Sequence, residues 1–477
     1  MNKRQKLSLI TLFILPIFGF LLNWIKLGSG CLHALDFGIY QQAIMDLAFT
    51  SSWNPLNSVR GIPIFADHFD PILFLAALIQ KFLGSYPWVP LIVEFGFYYS
   101  GGIVAFLLTR QKPFAMRLML TALWFFCSGM AVAFRYPIHP TTWSALPLLL
   151  LANELKANRF VRILLLLNIL CLFKEYYPIC FVSFGVYLLL RIRLKHSLIV
   201  LANGCLWIWV DFVLRPRLLP DFHGHGNALL SELLVHPGTM LLNSFLKYDW
   251  LGSVIALFPL LLALPLYWRH EKNKEWWWSF TAFMTPVFGI QFLFGNIGFQ
   301  YGAPISAFFL SILIVSRSEW CFSKDLLTIW VRRIMLVSAI WLTGDYLLSV
   351  GNVFIPKENH CRFSVEKWNE FGNMAIRIKD EPKESRILAT GGLVPVLMMP
   401  DRQIYQYGIW SKIQESYDLI AIGRNNTSDL YPFGADYFEK VILFCKPMAK
   451  EVLLDTPNLF LARGNFTEDC LHQRHSF

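Results

Sequence analysis

Long apolar runs alternate with short polar connections through the first 350 residues. A helix crossing a hydrocarbon core of about 30 Å needs roughly 17–25 predominantly apolar residues. By that measure the pattern predicts spans at 7–25, 88–109, 114–134, 140–156, 159–174, 177–193, 196–214, 249–268, 276–295, 300–316 and 328–349. The run 71–83 is only 13 residues long and reads as a re-entrant or interfacial helix. Asn23-Trp24-Ile25-Lys26 follows the first span, where a cleaved signal would carry small residues. Past residue 351 the pattern changes. A helical piece, Val365–Lys379, precedes strand-like runs at Arg386–Thr390, Gln403–Tyr407, Tyr417–Gly423, Val441–Cys445 and Leu459–Ala462. The expected architecture is an all-α polytopic membrane bundle of about eleven transmembrane helices (1–350) followed by a small α/β domain (351–477).

Composition supports the membrane reading. Hydrophobic residues make up 55% of the chain and charged residues 16%, against about 25% charged in ordinary soluble domains. Mean hydropathy is +0.47. A chain so poor in charge has too little polar surface to enclose a water-soluble body of 477 residues.

The net charge of +10 raises nucleic acid as a partner, and its distribution removes it. Residues 351–477 hold 15 basic and 16 acidic side chains, leaving 27 basic and 16 acidic in the first 350. Those basic residues lie between apolar runs, 19 on alternate connections and eight on the others. The positive-inside rule puts the richer side, with the N-terminus, in the cytoplasm. An odd number of spans then puts residues 351–477 on the outer side of the plasma (inner) membrane.

Polar chemistry gathers on that outer side. The first connection, 26–70, carries Asp36, Asp46, Asp67 and Asp70, with His68 beside Asp67. It includes an amphipathic helix ending near Phe49. A carboxylate at a membrane surface can accept a proton from an alcohol or bind a divalent ion. Asp36 and Asp70 could equally cap the helices that follow them, and Pro71 favours the cap for Asp70. Arg135 and His139 join the third span to the fourth, and Lys174-Glu175 join the fifth to the sixth with almost no loop. Ionisable groups at membrane depth are costly and generally face an interior cavity or pair together. Sequence neighbours in a helix diverge by about 100°, which argues for separate roles for Lys174 and Glu175. Tyr301 sits at the mouth of the tenth span, and Glu94, Asp211 and Asp345 are candidate buried polar positions without an assigned role.

Metal and redox signals are sparse. His223-Gly-His225 has short ligand spacing but no carboxylate or cysteine partner in register. Gly391-Gly392 does not complete the G-x-G-x-x-G of a dinucleotide site. Of nine cysteines, Cys31, Cys361, Cys445 and Cys470 fall on the outer side. A Cys445–Cys470 bridge or free thiols would both suit that compartment.

The strings Asp36-Phe-Gly-Ile-Tyr-x-Gln, Arg60-Gly61, Asp67-His68-Phe69 with Pro71-Ile72-Leu73, His139-Pro140, Lys174-Glu175, Tyr301-Gly-Ala-Pro304 and Ile387-Leu-Ala-Thr-Gly-Gly-Leu-Val-Pro resemble a multi-spanning prokaryotic family, domain of unknown function 2079. The chain departs from it with Lys-Glu at 174–175 in place of Lys-Glu-Asp, and Pro-Val-Leu at 395–397 in place of Pro-His-Leu. That family's layout is similar to the GT-C glycosyltransferases, multi-span enzymes that use polyprenyl-phosphate sugars. The resemblance implies sugar transfer at the outer surface, with Asp36 as general base. Lys174, Arg135 or His139 would stabilise the departing phosphate, and Asp67 and His68 would position the acceptor or hold a metal. GT-C enzymes often carry adjacent acids in the first loop, whereas Phe37 follows Asp36 here.

Two other classes compete. A transporter or lipid flippase would also place polar groups inside the bundle, but no inverted repeat or paired broken helix is visible. A non-enzymatic envelope assembly partner would leave Asp36 and Lys174 without a function.

Overall fold

The structure is a computed structural model. It describes residues 2–32, 37–59, 61–127, 129–131, 137–219, 273–294, 302–316, 326–351, 363–407, 416–424 and 433–471, with a few single positions between these stretches.

Helix α1 (Lys3–Gly28) opens with a capping box, in which Asn2 and Gln5 satisfy each other's backbone N–H groups. Its outward face carries Leu7, Ile10, Ile14, Phe18 and Leu21, all exposed. Such a face suits hydrocarbon rather than water. After the first connection come α2 (Ile39–Phe49), α3 (Leu73–Leu83), α4 (Val89–Leu108) and α5 (Phe114–Phe126). Then follow α6 (Ala145–Lys156), α7 (Phe160–Leu170), α8 (Tyr177–Leu190) and α9 (Leu194–Trp209). A single π turn, Val210–Leu214, links α9 to a last helical turn, Arg215–Leu218. Helices α10 (Glu275–Phe294), α11 (Gly302–Val315) and α12 (Leu326–Gly351) complete the bundle.

Among the described residues, Lys3–Gly28, Val89–Leu108 and Leu194–Leu218 are long and apolar enough to cross a membrane. Five shorter apolar helices, Leu73–Leu83 among them, have 10–17 residues. The 249–268 run lies almost wholly outside the described residues.

Helix α13 (Val365–Lys379) begins at Ser364, whose hydroxyl caps Lys367 N. It leads into a five-stranded sheet. The first connection already contains β1 (Leu56–Asn57) and β2 (Ile62–Pro63), a two-residue antiparallel ladder. The large sheet is built from β3 (Ile387–Ala389), β4 (Ile404–Gln406), β5 (Tyr417–Gly423), β6 (Ala449–Asp455) and β7 (Leu459–Phe466), in the order β4-β3-β5-β7-β6. Strand β3 runs parallel to β4 and β5, whereas β7 is antiparallel to β5 and β6.

Side chains alternate across this sheet with period two. Ile387, Leu419, Ala421, Leu459 and Leu461 face α13 and belong to the same apolar core as the bundle. Leu388, Ile420, Ile422 and Phe460 form a second core under α14 (Ala435–Cys445). The run Val441–Cys445, expected as a strand, is the end of α14. A five-residue apolar run fits either period, and Phe438, Val441, Ile442 and Cys445 supply the helical stripe.

The sheet-bearing part is fastened to the first connection. Gln41 Nε2 donates to Pro395 O (3.1 Å) and Ser58 Oγ to Ile404 O (2.5 Å). A disulfide joins Cys31 to Cys361. A second bridge links Cys445 to Cys470. At Gly28 the approach is too close for any side chain, since an added Cβ would lie 2.2 Å from the Trp368 ring.

Candidate functional site

Helix α2 is buried along nearly its whole length, with Tyr40, Gln41, Gln42 and Asp46 inside. The sequence reads it as amphipathic, so its polar face needed water or partners. It has partners. Gln41 reaches Pro87 O (2.9 Å) as well as Pro395 O, and Gln42 Oε1 accepts from Ser58 N (3.0 Å) and Ser58 Oγ (3.1 Å). Burial pushes the Asp46 carboxyl up to about 7, beside Asp401 of the sheet-bearing part.

The centre of the cluster is Tyr40. Its ring stacks on His68 (6.1 Å, 19°) and meets His139 edge-on (5.9 Å). Its hydroxyl donates to Asp70 Oδ2 at 2.9 Å. The other Asp70 oxygen lies 3.6 Å from Lys174 Nζ. Lys174 is buried and also sits 3.4 Å from Glu175 Oε2 and 3.3 Å from His68 Nδ1. The far nitrogen of His68 lies 3.7 Å from Asp67 Oδ2. Burial pushes the Asp70 carboxyl up to about 6, against the pull of the Lys174 ammonium.

Arg215 braces the same connection from the end of the α9 rod. Its guanidinium pairs with Asp211 (2.7 Å) and donates to Phe65 O (2.6 Å) and Asp67 O (3.2 Å). It therefore fixes the helical turn Ile64–Asp67 that delivers Asp67 and His68. Beside it an apolar groove of about 120 Å³ is lined by Trp53, Phe65, Phe69, Phe74, Leu214 and Leu218, with Arg215 in its wall. The cluster holds two permanent cations, Lys174 and Arg215, and four carboxylates, Asp67, Asp70, Glu175 and Asp211. It can therefore give and take protons as well as hold a negative group between its cations.

Glu94 on α4 holds the neighbouring turn. It accepts from His139 N (3.2 Å), Thr142 Oγ1 (2.7 Å) and Trp143 Nε1. Ile138, just before, sits at φ 71°, a left-handed conformation that costs a β-branched residue about 1–2 kcal/mol. The Glu94 carboxylate anchors the next residue's N–H and so holds that strained backbone. Phe97, one turn on, stacks on Trp143 at 5.3 Å.

Among the described residues, no group of three or more His, Cys, Asp or Glu could hold a metal ion.

With this geometry in hand, comparison with known proteins becomes informative. Residues 31–431 match the family described as "Predicted membrane protein (DUF2079)". The chain belongs to that family. No curated protein matches the sequence. Among solved structures, ArnT from Cupriavidus metallidurans, a GT-C glycosyltransferase, is similar in fold. Its complex with undecaprenyl phosphate superposes with a TM-score of 0.53 at 12% identity, over 95% of this chain and 97% of that one. Its apo form gives 0.54 at 12% identity, over 98% and 100%. This DUF2079 chain is thus a mostly helical membrane protein with a GT-C-like fold.

Within the DUF2079 match, five of the residues singled out by sequence, Asp67, His68, His139, Lys174 and Glu175, converge on Tyr40. Asp36, Arg135 and Tyr301 lie outside the described residues, as do His223 and His225. Three readings change. Lys174 and Glu175 pair with each other, because α7 ends at Leu170 and the two lie in a turn, where neighbours need not diverge. Asp70 caps nothing with its side chain: α3 starts at Leu73 with Ile72 as its N-cap, and the carboxylate faces Tyr40 and Lys174. Asp345 is exposed on α12. Sequence reasoning gave no site role to Tyr40 or to the Asp211–Arg215 pair. An acid and a base four residues apart on one apolar helix were the available signal.

Proposed function

We propose that the protein transfers a sugar from a polyprenyl-phosphate donor to an acceptor hydroxyl at the outer membrane surface. The observation that carries this reading is the pairing of a buried Lys174 cluster with an apolar groove walled by Arg215. That pairing offers cations for a phosphate beside a channel for its hydrocarbon. The GT-C-like fold and the lipid bound by its neighbour support it.

In this mechanism Asp36 removes the proton of the acceptor hydroxyl. The oxygen attacks the anomeric carbon, and the bond from that carbon to the phosphate oxygen breaks. The electron pair leaves on the polyprenyl phosphate. Lys174, with Arg215 and Arg135 beside it, neutralises that charge as it develops, where fixed cations contribute most. Asp67, His68 and His139 orient the acceptor, Glu175 tunes Lys174, and Tyr301 closes the site from the tenth span. A divalent metal held by Asp67 and His68 remains an assay variable, addressed with chelator.

The N-terminus is cytoplasmic in this reading, and the first connection and residues 351–477 lie outside the plasma membrane. The cysteines assigned to that side by charge asymmetry, 31, 361, 445 and 470, are the ones that pair. Disulfides persist in such a compartment.

The test is turnover of polyprenyl-phosphate sugars by purified protein, wild type against Asp36→Asn. Loss of turnover with donor binding retained is expected. Unchanged turnover would overturn the base assignment. Donor binding without transfer to any acceptor hydroxyl would favour a flippase.

A further inference from the structure

The two disulfides have different surroundings. Cys445 and Cys470 are both fully buried in the second core. Cys31 and Cys361 are each partly exposed, at the junction between the end of α1 and the start of α13. Beside this second pair stands a cation. Lys367 Nζ lies 3.4 Å from Cys361 Sγ and 3.8 Å from Cys31 Sγ, and the lysine is only 2% exposed. It is fixed on the first turn of α13 by the Ser364 cap, with its ammonium 6.0 Å from the Phe371 ring centre.

An ammonium contributes little to a neutral disulfide. It contributes much to a thiolate, whose pKa it lowers. Exchange is faster when the leaving thiol has a lower pKa, and it requires access to the attacked sulfur. The junction supplies both conditions, and the buried bridge supplies neither.

We propose that Cys31–Cys361 is a thiol–disulfide exchange site, opened and closed by an extracytoplasmic dithiol, with Lys367 holding the leaving thiolate. The partner's thiolate attacks Cys31 Sγ. The disulfide's electron pair leaves on Cys361 Sγ, next to Lys367, and a mixed disulfide forms between Cys31 and the partner. The partner's second thiolate then attacks its own bridged sulfur and expels Cys31. The partner is oxidised to a disulfide, Cys31 and Cys361 are reduced, and the two thiol protons of the partner end on them. The reverse sequence closes the bridge.

The bond spans 330 residues of sequence and ties the stem of the first connection, five residues before Asp36, to the sheet-bearing part. When it opens, the Gln41–Pro395 and Ser58–Ile404 hydrogen bonds remain. The expected consequence is loosening of α13 against α1 and not detachment, which makes the bridge a control on the proposed site. The regulatory part rests on the outward placement proposed above. The exchange chemistry does not.

The experiment uses full-length protein in lipid nanodiscs, treated with dithiothreitol at neutral pH, quenched with N-ethylmaleimide and read by peptide mass spectrometry. Cys31–Cys361 is expected to open at least about tenfold faster than Cys445–Cys470. Lys367→Met should slow it by about tenfold, and Lys367→Arg should keep most of the rate. Equal opening of both bridges, or an unchanged rate in Lys367→Met, would overturn the proposal. A folding defect in Lys367→Met would appear as faster opening of Cys445–Cys470, and the comparison of the two bridges in wild type stands without that variant. In whole cells, a membrane-impermeant maleimide should label Cys361 after mild reduction. Labelling only after permeabilisation would overturn the outward placement and the regulatory role, leaving exchange in nanodiscs as a separate result.

Discussion

Two buried ionisable centres lie side by side in this molecule and are built on opposite principles. Around Glu94 one carboxylate is met by donors from a single short turn, His139 N, Thr142 and Trp143. Around Lys174 one ammonium is shared among Asp70, Glu175 and His68, which arrive from two separate connections. The first arrangement pins backbone and leaves the carboxylate committed. The second leaves charge that can be redistributed when a ligand arrives. A buried charge is costly in both, so burial alone does not distinguish a strut from a site. The number of independent chain segments brought to bear on the charge does.

That contrast can be broken most directly at Lys174. Lys174→Met should reduce sugar transfer or lipid-phosphate binding by at least about a hundredfold, the scale of losing a cation placed at developing charge. It should also destabilise the fold by about 3–5 kcal/mol, since removing one partner of a buried pair leaves the others uncompensated. The double variant Lys174→Met, Asp70→Asn separates the two losses. Thermal stability should largely return, while activity should not. Recovery of both would reduce the cluster to a structural ion pair.

Glu94→Gln should show the reverse profile. Its amide cannot accept from all three donors, so one stays unsatisfied, at about 1–3 kcal/mol. The melting temperature should fall while residual turnover stays within about tenfold of wild type. A larger loss of turnover at unchanged stability would place Glu94 in the chemistry and erase the distinction. Arg215→Lys comes next. Lysine keeps the charge but loses the fork that holds Phe65 O, Asp67 O and Asp211 together. Lipid-phosphate affinity should weaken by about tenfold, since the charge survives and the geometry does not. Native binding by the variant would remove Arg215 from the groove's function.

How much of this was legible in the sequence depended on distance along the chain. The spans were, because bilayer thickness imposes a length that one segment satisfies alone. Lys174 was, because a cation with no loop to hold it in water has few structural excuses. Asp211 and Arg215 could have been, as an i,i+4 pair on an apolar helix. Asp70 was misread because Pro71 is a good first helical residue, while the chain spends two more residues turning before α3 begins. The burial of α2 was out of reach. Its cover comes from Pro395 and Ile404, more than 300 residues away, and no local pattern announces it. Asp36, the residue on which the proposed base rests, is read from sequence alone.

The finest test of the comparison is its pH dependence. Burial raises the Asp70 carboxyl from an ordinary 3.8 to about 6. The folded protein therefore holds this proton more tightly than the unfolded chain does. The resulting stabilisation is full below pH 4 and is lost as pH rises through about 6. Between pH 5 and pH 7 the loss is about 1 kcal/mol. Asp70→Asn has no proton to lose, so its melting temperature in nanodiscs should fall less steeply over that interval than that of wild type. Other buried carboxyls add slopes of their own, and subtracting the variant's curve from the wild-type curve cancels them. A difference curve that is flat between pH 5 and pH 7 would mean that Lys174 keeps Asp70 ionised throughout. The pair would then be a committed salt bridge of the Glu94 kind, and the redistributable charge attributed to this cluster would have to come from His68 and Asp67 instead.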